Sequence, residues 1–184
     1  HWDYKTLILN SNLAVVLIHS ALFFLLFQTN RESLPSNSVS GSQLVSIPPL
    51  TSQLSPPEKI CFLHAALRVC LRLLDKAITH EDALFPNTPE DEYTKQRKTV
   101  RDRLDYLVMS TERLLVGGKR CDAEDLVDGG TFVLKKWILQ VLQDIAYWSN
   151  KTAETLQTLP ALTDKKPPRT RRATRKKEAR KLRK

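Results

Sequence analysis

The last third of the chain carries an apolar stripe that only a helix can gather onto one face. The repeat has intervals of four, three, four and three residues and consists of Leu134, Ile138, Val141, Ile145 and Trp148. This is the spacing of one side of an α-helix. Phe132, Trp137 and Leu142 widen the stripe to a face suited to the middle of a bundle. We therefore predict a helix from Thr131 to about Leu159, ended by Pro160.

An earlier helix is predicted from its start signal. Ser55 stands at the N-cap, Pro56 at the first helical position and Glu58 at the third, so that side chains can satisfy backbone N–H groups of the first turn. Apolar residues then recur at intervals of four and three, at Leu63, Leu67, Cys70, Leu74 and Ala77. The pattern predicts a mostly buried helix over about 58–79.

A third helix is predicted between these two. Thr88 and Pro89 mark its start, and acids follow in the first turn, where the helix dipole favours them. Its narrower stripe contains Val100, Leu104, Leu107, Leu114 and Leu115. Gly117 and Gly118 follow as a stop signal.

The composition agrees with helices alone. The chain has only five glycines, and leucine dominates its apolar residues, which favours helices over strands. We predict an all-α, up-and-down bundle within residues 56–160. Because only three long helices are predicted there, a fourth helix is expected to be missing.

The net charge of +9 is concentrated at the C-terminus. Residues 165–184 hold 12 of the 29 basic residues and one of the 20 acids, which leaves a net charge of −2 on residues 1–164. We predict that residues 161–184 form a disordered tail that binds polyanions by charge. Its candidate residues are Lys165, Lys166, Arg169, Arg171, Arg172, Arg175, Lys176, Lys177, Arg180, Lys181, Arg183 and Lys184. A nuclear or phosphate-binding arm, a heparan sulfate site and a merely solubilising tail are the alternatives.

The N-terminus resembles a targeting segment. Lys5 precedes an apolar run over residues 13–27 that His19 and Ser20 interrupt, which is typical of a secretory signal within residues 1–30. A signal-anchor that stays in the membrane is the alternative. Because the chain begins with His, we expect the true start to lie upstream. Residues 31–55 are rich in Ser and Pro and are predicted to be a linker.

Three cysteines fit a secreted protein with one disulfide. Cys61 and Cys70 lie nine residues apart on one helix, about 13 Å at helical rise, so they cannot pair with each other. We predict a bridge from Cys121 to one of these two. Asn150 opens the only N-x-S/T sequon and is a candidate for glycosylation.

No pattern of catalysis is present in the sequence. Phosphate-cradling, nucleophile-elbow and zinc-site motifs are missing, so we predict no enzyme activity, metal, cofactor or small-molecule substrate. His64 is interpreted as a partly exposed packing residue. His80, Glu81 and Asp82 are interpreted as a polar loop start rather than a metal site.

Two segments carry a resemblance to a known family. Cys121 followed by Thr131-Phe132 and Leu134, and then Leu142-Gln143-Asp144-Ile145, resembles the final helix of the interferon-lambda proteins. The segment 65–74 is similar in pattern to an inner helix of the same family. The chain departs from the family in its Gly129-Gly130 insertion, in Lys135 and in lacking the family's first helix. The resemblance, over residues 56–150, is to class II helical cytokines, the interferon and interleukin-10 superfamily.

The resemblance implies a secreted cytokine that bridges two class II cytokine receptor chains and triggers antiviral or immune signalling. The final helix would supply the receptor face. Its predicted outward positions are Lys135, Lys136, Gln140, Gln143, Asp144 and Tyr147. The alternative is a membrane-anchored or intracellular helical adaptor whose basic tail binds anionic lipid or nucleic acid.

Overall fold

The described residues of the protein form an all-α bundle of four helices. The structure, a computed structural model, describes residues 4–32, 43–86, 91–115, 120–125 and 134–159. The helices are α1 (Tyr4–Glu32), α2 (Pro56–Leu84), α3 (Glu92–Glu112) and α4 (Leu134–Thr158). Two short strands, β1 (Val45–Ser46) and β2 (Glu124–Asp125), lie between α1 and α2 and between α3 and α4.

Helix α2 begins at the predicted signal. Ser55 is the N-cap, and its backbone N–H and its hydroxyl both donate to the Glu58 carboxylate, at 3.0 Å and 2.7 Å. The helix runs five residues beyond the predicted end at 79. All five residues of its predicted stripe are buried, so this face lies in the core as expected.

Helix α3 begins later than predicted. Its N-cap is Asp91, whose carboxylate accepts from the backbone N–H of Thr94 at 2.9 Å. The predicted cap at Thr88 is therefore wrong, since Asp91 is equally able to cap and lies directly before the helical residues. Thr88, Pro89 and the glycines at 117 and 118 lie outside the described residues.

The predicted stripe of α4 lies in the core. Ile138, Val141, Ile145 and Trp148 are buried, and all four pack among residues of the other helices. The predicted start at Thr131 and the stop at Pro160 lie outside the described residues, and the side chain of Leu134 does too.

Helix α1 forms the fourth side of the bundle. Its buried positions include a set at intervals of three and four residues: Leu7, Asn10, Ala14, Leu17, Ala21 and Phe24. Ala14, Leu17, Ala21 and Phe24 belong to the main core together with residues of the other three helices. The expectation of a missing fourth helix is thus wrong for this structure, because the apolar N-terminal segment occupies that place.

A small cluster at one end of the bundle defines how the helices run. Leu7 near the start of α1 and Ile60 near the start of α2 meet Leu114, just after α3, and Leu156 near the end of α4. Helices α1 and α2 therefore start at this end, and α3 and α4 finish there. The connectivity is up-up-down-down, so the predicted up-and-down order is wrong.

This connectivity needs two long crossovers, and both are fixed to the bundle. Each of α1 and α2 packs against both α3 and α4. The crossovers meet where β1 pairs antiparallel with β2, with Val45 opposite Asp125 and Ser46 opposite Glu124. The part of the predicted linker at 43–55 is therefore ordered by pairing and by contacts with the core.

Candidate functional site

The first crossover is held by a buried carboxylate of α4. Asp144 Oδ2 accepts hydrogen bonds from the backbone N–H groups of Leu44 and Val45, each at 2.8 Å. All three residues are buried. The carboxylate therefore satisfies two backbone donors that would otherwise be desolvated without partners.

The environment of Asp144 changes its acidity. Burial raises the pKa of this carboxyl from 3.8 to about 6, although the two backbone donors offset part of the rise. The Asp144 carboxyl is therefore partly protonated in mildly acidic solution. A charge on Asp144 near neutral pH costs folding free energy that the two hydrogen bonds only partly recover.

The second crossover is held by a disulfide. Cys121 is bonded to Cys61 near the start of α2, with a Cα–Cα distance of 5.5 Å and a sequence separation of 60 residues. The predicted bridge from Cys121 to the helix that contains Cys61 and Cys70 is confirmed, and Cys61 is the partner. Cys70 is a free thiol in the core, and burial raises its pKa well above the ordinary value, so the thiol is unreactive while the protein is folded.

Carboxylates at the end of α2 bind α3. Glu81 and Asp82 pair with the Arg97 guanidinium at 2.6 Å and 2.8 Å, while His80 lies edge-on to Trp137. His80, Glu81 and Asp82 lie in the last turns of α2, so their interpretation as the start of a loop is wrong, and they join α2 to α3 and α4. Across the part of the chain that the structure describes, no group of three His, Cys, Asp or Glu residues could hold a metal ion.

His64 is buried, so the predicted partial exposure is wrong. Its Nδ1 lies 3.1 Å from the hydroxyl of Thr111, which itself donates to the carbonyls of Leu107 and Val108. Because that hydroxyl has one hydrogen, we assign Nδ1 of His64 as the donor to Thr111. Burial lowers the pKa of His64, and the nearby Arg68 adds to this effect.

The predicted receptor positions divide into three groups. Gln140 and Asp144 are buried, so their predicted outward placement is wrong; both flank the core stripe of α4, and Asp144 faces the first crossover. Gln143 is half-buried and Tyr147 is exposed. Lys135 and Lys136 lie in the first turn of α4, and their side chains are outside the described residues.

An open groove of about 510 Å³ runs between the first crossover and the outer side of α4. Pro48, Pro49 and Leu50 form one wall, and Tyr147 and Lys151 are on the other. The Lys151 ammonium lies 6.0 Å from the centre of the Tyr147 ring. The lining of the groove mixes polar and apolar groups, with the polar ones predominating, and the exposed Tyr147 ring is its feature most typical of a surface that binds a protein partner.

The predicted glycosylation site lies on the outer surface of α4. Asn150 is exposed on α4 and donates to Glu154 at 2.6 Å. The sequon's Thr152 is buried, and its hydroxyl donates to the Trp148 carbonyl. The predicted polyanion-binding residues at 165–184 lie outside the described residues.

One described segment is long and apolar enough to cross a membrane. It is Lys5–Phe24 of α1, and 44% of it is buried inside the bundle. A core helix and a signal sequence meet the same criterion of length and composition. Whether residues 1–30 are a signal therefore stays a prediction.

The sequence did not predict the hydrogen bonds from the backbone N–H groups of Leu44 and Val45 to the Asp144 carboxylate, which we call the Asp144 clamp. Asp144 follows Val141 by three residues and precedes Trp148 by four, so it lies beside the core stripe. This spacing was the available signal for its burial. The partner atoms are backbone N–H groups about a hundred residues away, and no side-chain pattern identifies them.

Comparison of the chain with models of protein families, with curated proteins and with solved structures gives no match.

Proposed function

We propose that this protein is a secreted helical cytokine that acts by binding and bridging two receptor chains. The up-up-down-down connectivity with two crossovers carries the proposal, because bundles of growth hormones and cytokines use this arrangement. The likeness to those proteins is one of helix connectivity alone. The choice of class II receptor chains and of interferon-like antiviral or immune signalling rests on the sequence resemblance.

Two further observations support an extracellular binding protein. The Cys61–Cys121 disulfide is of a kind that persists in oxidising compartments. The polar groups buried at the crossovers are engaged in holding the fold, as Asp144 is. Function then depends on surface complementarity rather than on chemistry at a reactive group.

The groove between the first crossover and α4 is the proposed receptor surface. It joins Tyr147 and Lys151 of the last helix to the Pro48-Pro49 segment. The Asp144 clamp and the strand pair fix the backbone beside it, so binding needs little ordering of the loop. The half-buried Gln143 extends this proposed face along α4; Lys135 and Lys136 stay predicted receptor residues.

Binding to immobilised ectodomains of class II cytokine receptor chains tests the proposal. Tyr147→Ala and Lys151→Glu should each weaken binding about tenfold or more, as expected for an aromatic anchor and a charge at an interface. Met109→Ala on α3 is the matched control, since Met109 is similarly exposed. Equal loss in all three variants, or no binding to any ectodomain by the parent, would refute the receptor assignment.

The basic tail is proposed to hold the protein at cell surfaces through heparan sulfate. The tail has 12 basic residues with no aromatic residue among them. It can therefore bind a polyanion through counterion release but offers no ring on which a base could stack. Heparin affinity should fall steeply with salt and disappear when residues 165–184 are deleted. Retention of full heparin affinity after the deletion would place the polyanion site elsewhere.

The second candidate function is a membrane-anchored adaptor. The observation that favours it is the apolar segment Lys5–Phe24. Expression in cultured cells separates the candidates: release into the medium with α1 retained and a sugar on Asn150 supports the four-helix cytokine, because its connectivity includes α1. Retention of the chain in the membrane fraction supports the adaptor.

A further inference from the structure

The outer side of α1 has a pattern that the bundle does not use. Five apolar residues on it are between 39% and 54% exposed: Ile8, Leu9, Val16, Leu22 and Phe23. The polar residues Asn10, Ser11 and Ser20 are instead buried. Ser11 receives a hydrogen bond from Gln157 of α4, and Ser20 receives one from Arg103 of α3. Helix α1 therefore exposes apolar residues on its outer side in addition to burying an apolar face, unlike a helix whose outer side is adapted to water.

The exposed residues form a regular seam. Positions at intervals of four and three residues along this side are Lys5, Leu9, Asn12, Val16, His19 and Phe23, and all are exposed. We call them the outer seam. This is the 3.5-residue repeat of a coiled coil, opposite the repeat that packs into the core. Apolar and polar positions alternate along it, and its length is about 27 Å at helical rise.

We infer that the outer seam pairs with the same seam of a second copy of this chain in a parallel, in-register coiled coil. In that arrangement Leu9, Val16 and Phe23 each meet their own copy. Asn12 also meets Asn12, and an amide pair within such a seam fixes the register at some cost in stability. An antiparallel pair would instead set the apolar positions against Lys5, Asn12 and His19.

The polar positions favour a protein over lipid as the occupant. A bilayer covering this face would bring Lys5, Asn12 and His19 into hydrocarbon, which is costly for each of them. A second copy matches each polar position with a polar one and leaves the long Lys5 side chain at the open end of the seam, where its ammonium reaches water. Because α1 is already folded against α3 and α4, pairing requires no ordering of the helix.

Sedimentation of the full chain without detergent tests this dimer. The parent should be in a concentration-dependent monomer–dimer equilibrium. Val16→Glu and Phe23→Glu should each raise the dissociation constant at least about thirtyfold, as for a central interface residue. Met109→Glu, an equally exposed apolar residue on α3, should leave it unchanged. Asn12→Leu should tighten association, since an apolar layer replaces the polar one.

Oxidation tests the orientation. With Leu9→Cys or Phe23→Cys alone, a parallel pair should give intermolecular disulfides, whereas an antiparallel pair should not. Melting temperatures close to the parent's would show that the variants fold, because these positions are exposed. A monomer at all concentrations, a dimer that Val16→Glu leaves intact, or association only with phosphatidylcholine vesicles would overturn the inference. A mature protein that lacks residues 1–30 would overturn it too.

Discussion

Helices α1 and α2 have the same length, 29 residues each, and run in the same direction, but the outer side of α1 is much more apolar than that of α2. Helix α2 buries an apolar face and exposes charged residues such as Arg68 and Arg72. Helix α1 buries Asn10 and exposes Val16 and Phe23. Both nonetheless place side chains at zero exposure in the same core, for example Leu17 and Leu67.

The difference shows that burial depends on shape as well as on hydropathy. Ala14 and Ala21 of α1 are fully buried, and such small side chains let α4 and α3 approach closely. Hydropathy cannot identify this face, because the opposite face of α1 is as apolar. A helix that is apolar on all sides satisfies the criteria for a core helix, a signal and a membrane span together.

The largest expected effect comes from placing a charge in the core on either helix. Leu67→Asp should unfold the domain, since an unpaired buried charge costs more than about 4 kcal/mol. Leu17→Asp should do the same if α1 is as integral as α2. Thermal melts followed by circular dichroism decide this. A Leu17→Asp melt at the parental temperature would break the comparison and show that α1 is dispensable.

The next effect concerns the disulfide, which α2 has and α1 lacks. Replacing both Cys61 and Cys121 by Ala should lower the free energy of unfolding by about 4 kcal/mol, as expected for a bridge that closes 60 residues. Urea unfolding of the oxidised parent and the double variant gives the difference. Cys70→Ala is the control for cysteine content: it keeps the Cys61–Cys121 bridge, so reductant should destabilise it as much as it does the parent, whereas the double variant should not respond to reductant.

Asp144 should affect stability through the two backbone donors and through its own charge. Asp144→Ala leaves both donors unpartnered and should cost about 2–4 kcal/mol, whereas Asp144→Asn keeps an acceptor oxygen and should be at least as stable as the parent at pH 7. Folding raises the pKa of the Asp144 carboxyl from 3.8 to about 6. Between these pH values the carboxyl is ionised in the unfolded chain but still largely protonated in the folded protein. The parent's stability should therefore fall across that window.

The same measurement against pH separates the two Asp144 variants from a general loss of packing. The Asp144-dependent fall should be missing in Asp144→Asn. If Asp144→Asn is as unstable as Asp144→Ala at every pH, the hydrogen bonds to Leu44 and Val45 are not what this side chain contributes.

The smallest expected effect is a pH dependence with the opposite sign, from His64 of α2. Because burial lowers its pKa below 6.5, the unfolded chain takes up a proton first as pH falls below 6.5, and the folded state loses stability. His64→Asn keeps a donor near Thr111 and should remove this loss. Urea unfolding at several pH values measures this loss of stability. It is done with the Asp144→Asn substitution present in both chains, so that the pH dependence of Asp144 does not contribute. An unchanged loss in His64→Asn would assign it to another group.

The sequence was informative where amphipathic contrast was strong. The stripes of α2 and α4 lie in the core, and the signal at Ser55 marks the start of α2. The bridge from Cys121 was expected, but spacing could not choose between Cys61 and Cys70. That choice depends on where the second crossover runs, which tertiary packing alone determines.

The connectivity and the clamp were not predictable for a related reason. Three separated stripes do not specify whether neighbouring helices run parallel, and the order follows from which ends meet at Leu7, Ile60, Leu114 and Leu156. Asp144 was expected outside because charged residues are rarely buried. Its burial depends on two backbone donors that a pattern of side chains does not reveal.

The Asp144 clamp also sets an order of events during folding. It joins residues 100 positions apart in the chain, so its hydrogen bonds cannot form until α4 has been synthesised and has docked. In the folded bundle Cys70 is enclosed in the core near Asp144, and Cys61 is the α2 cysteine that is bonded to Cys121. Docking of α4 and the choice of the disulfide partner are therefore parts of one arrangement of the core.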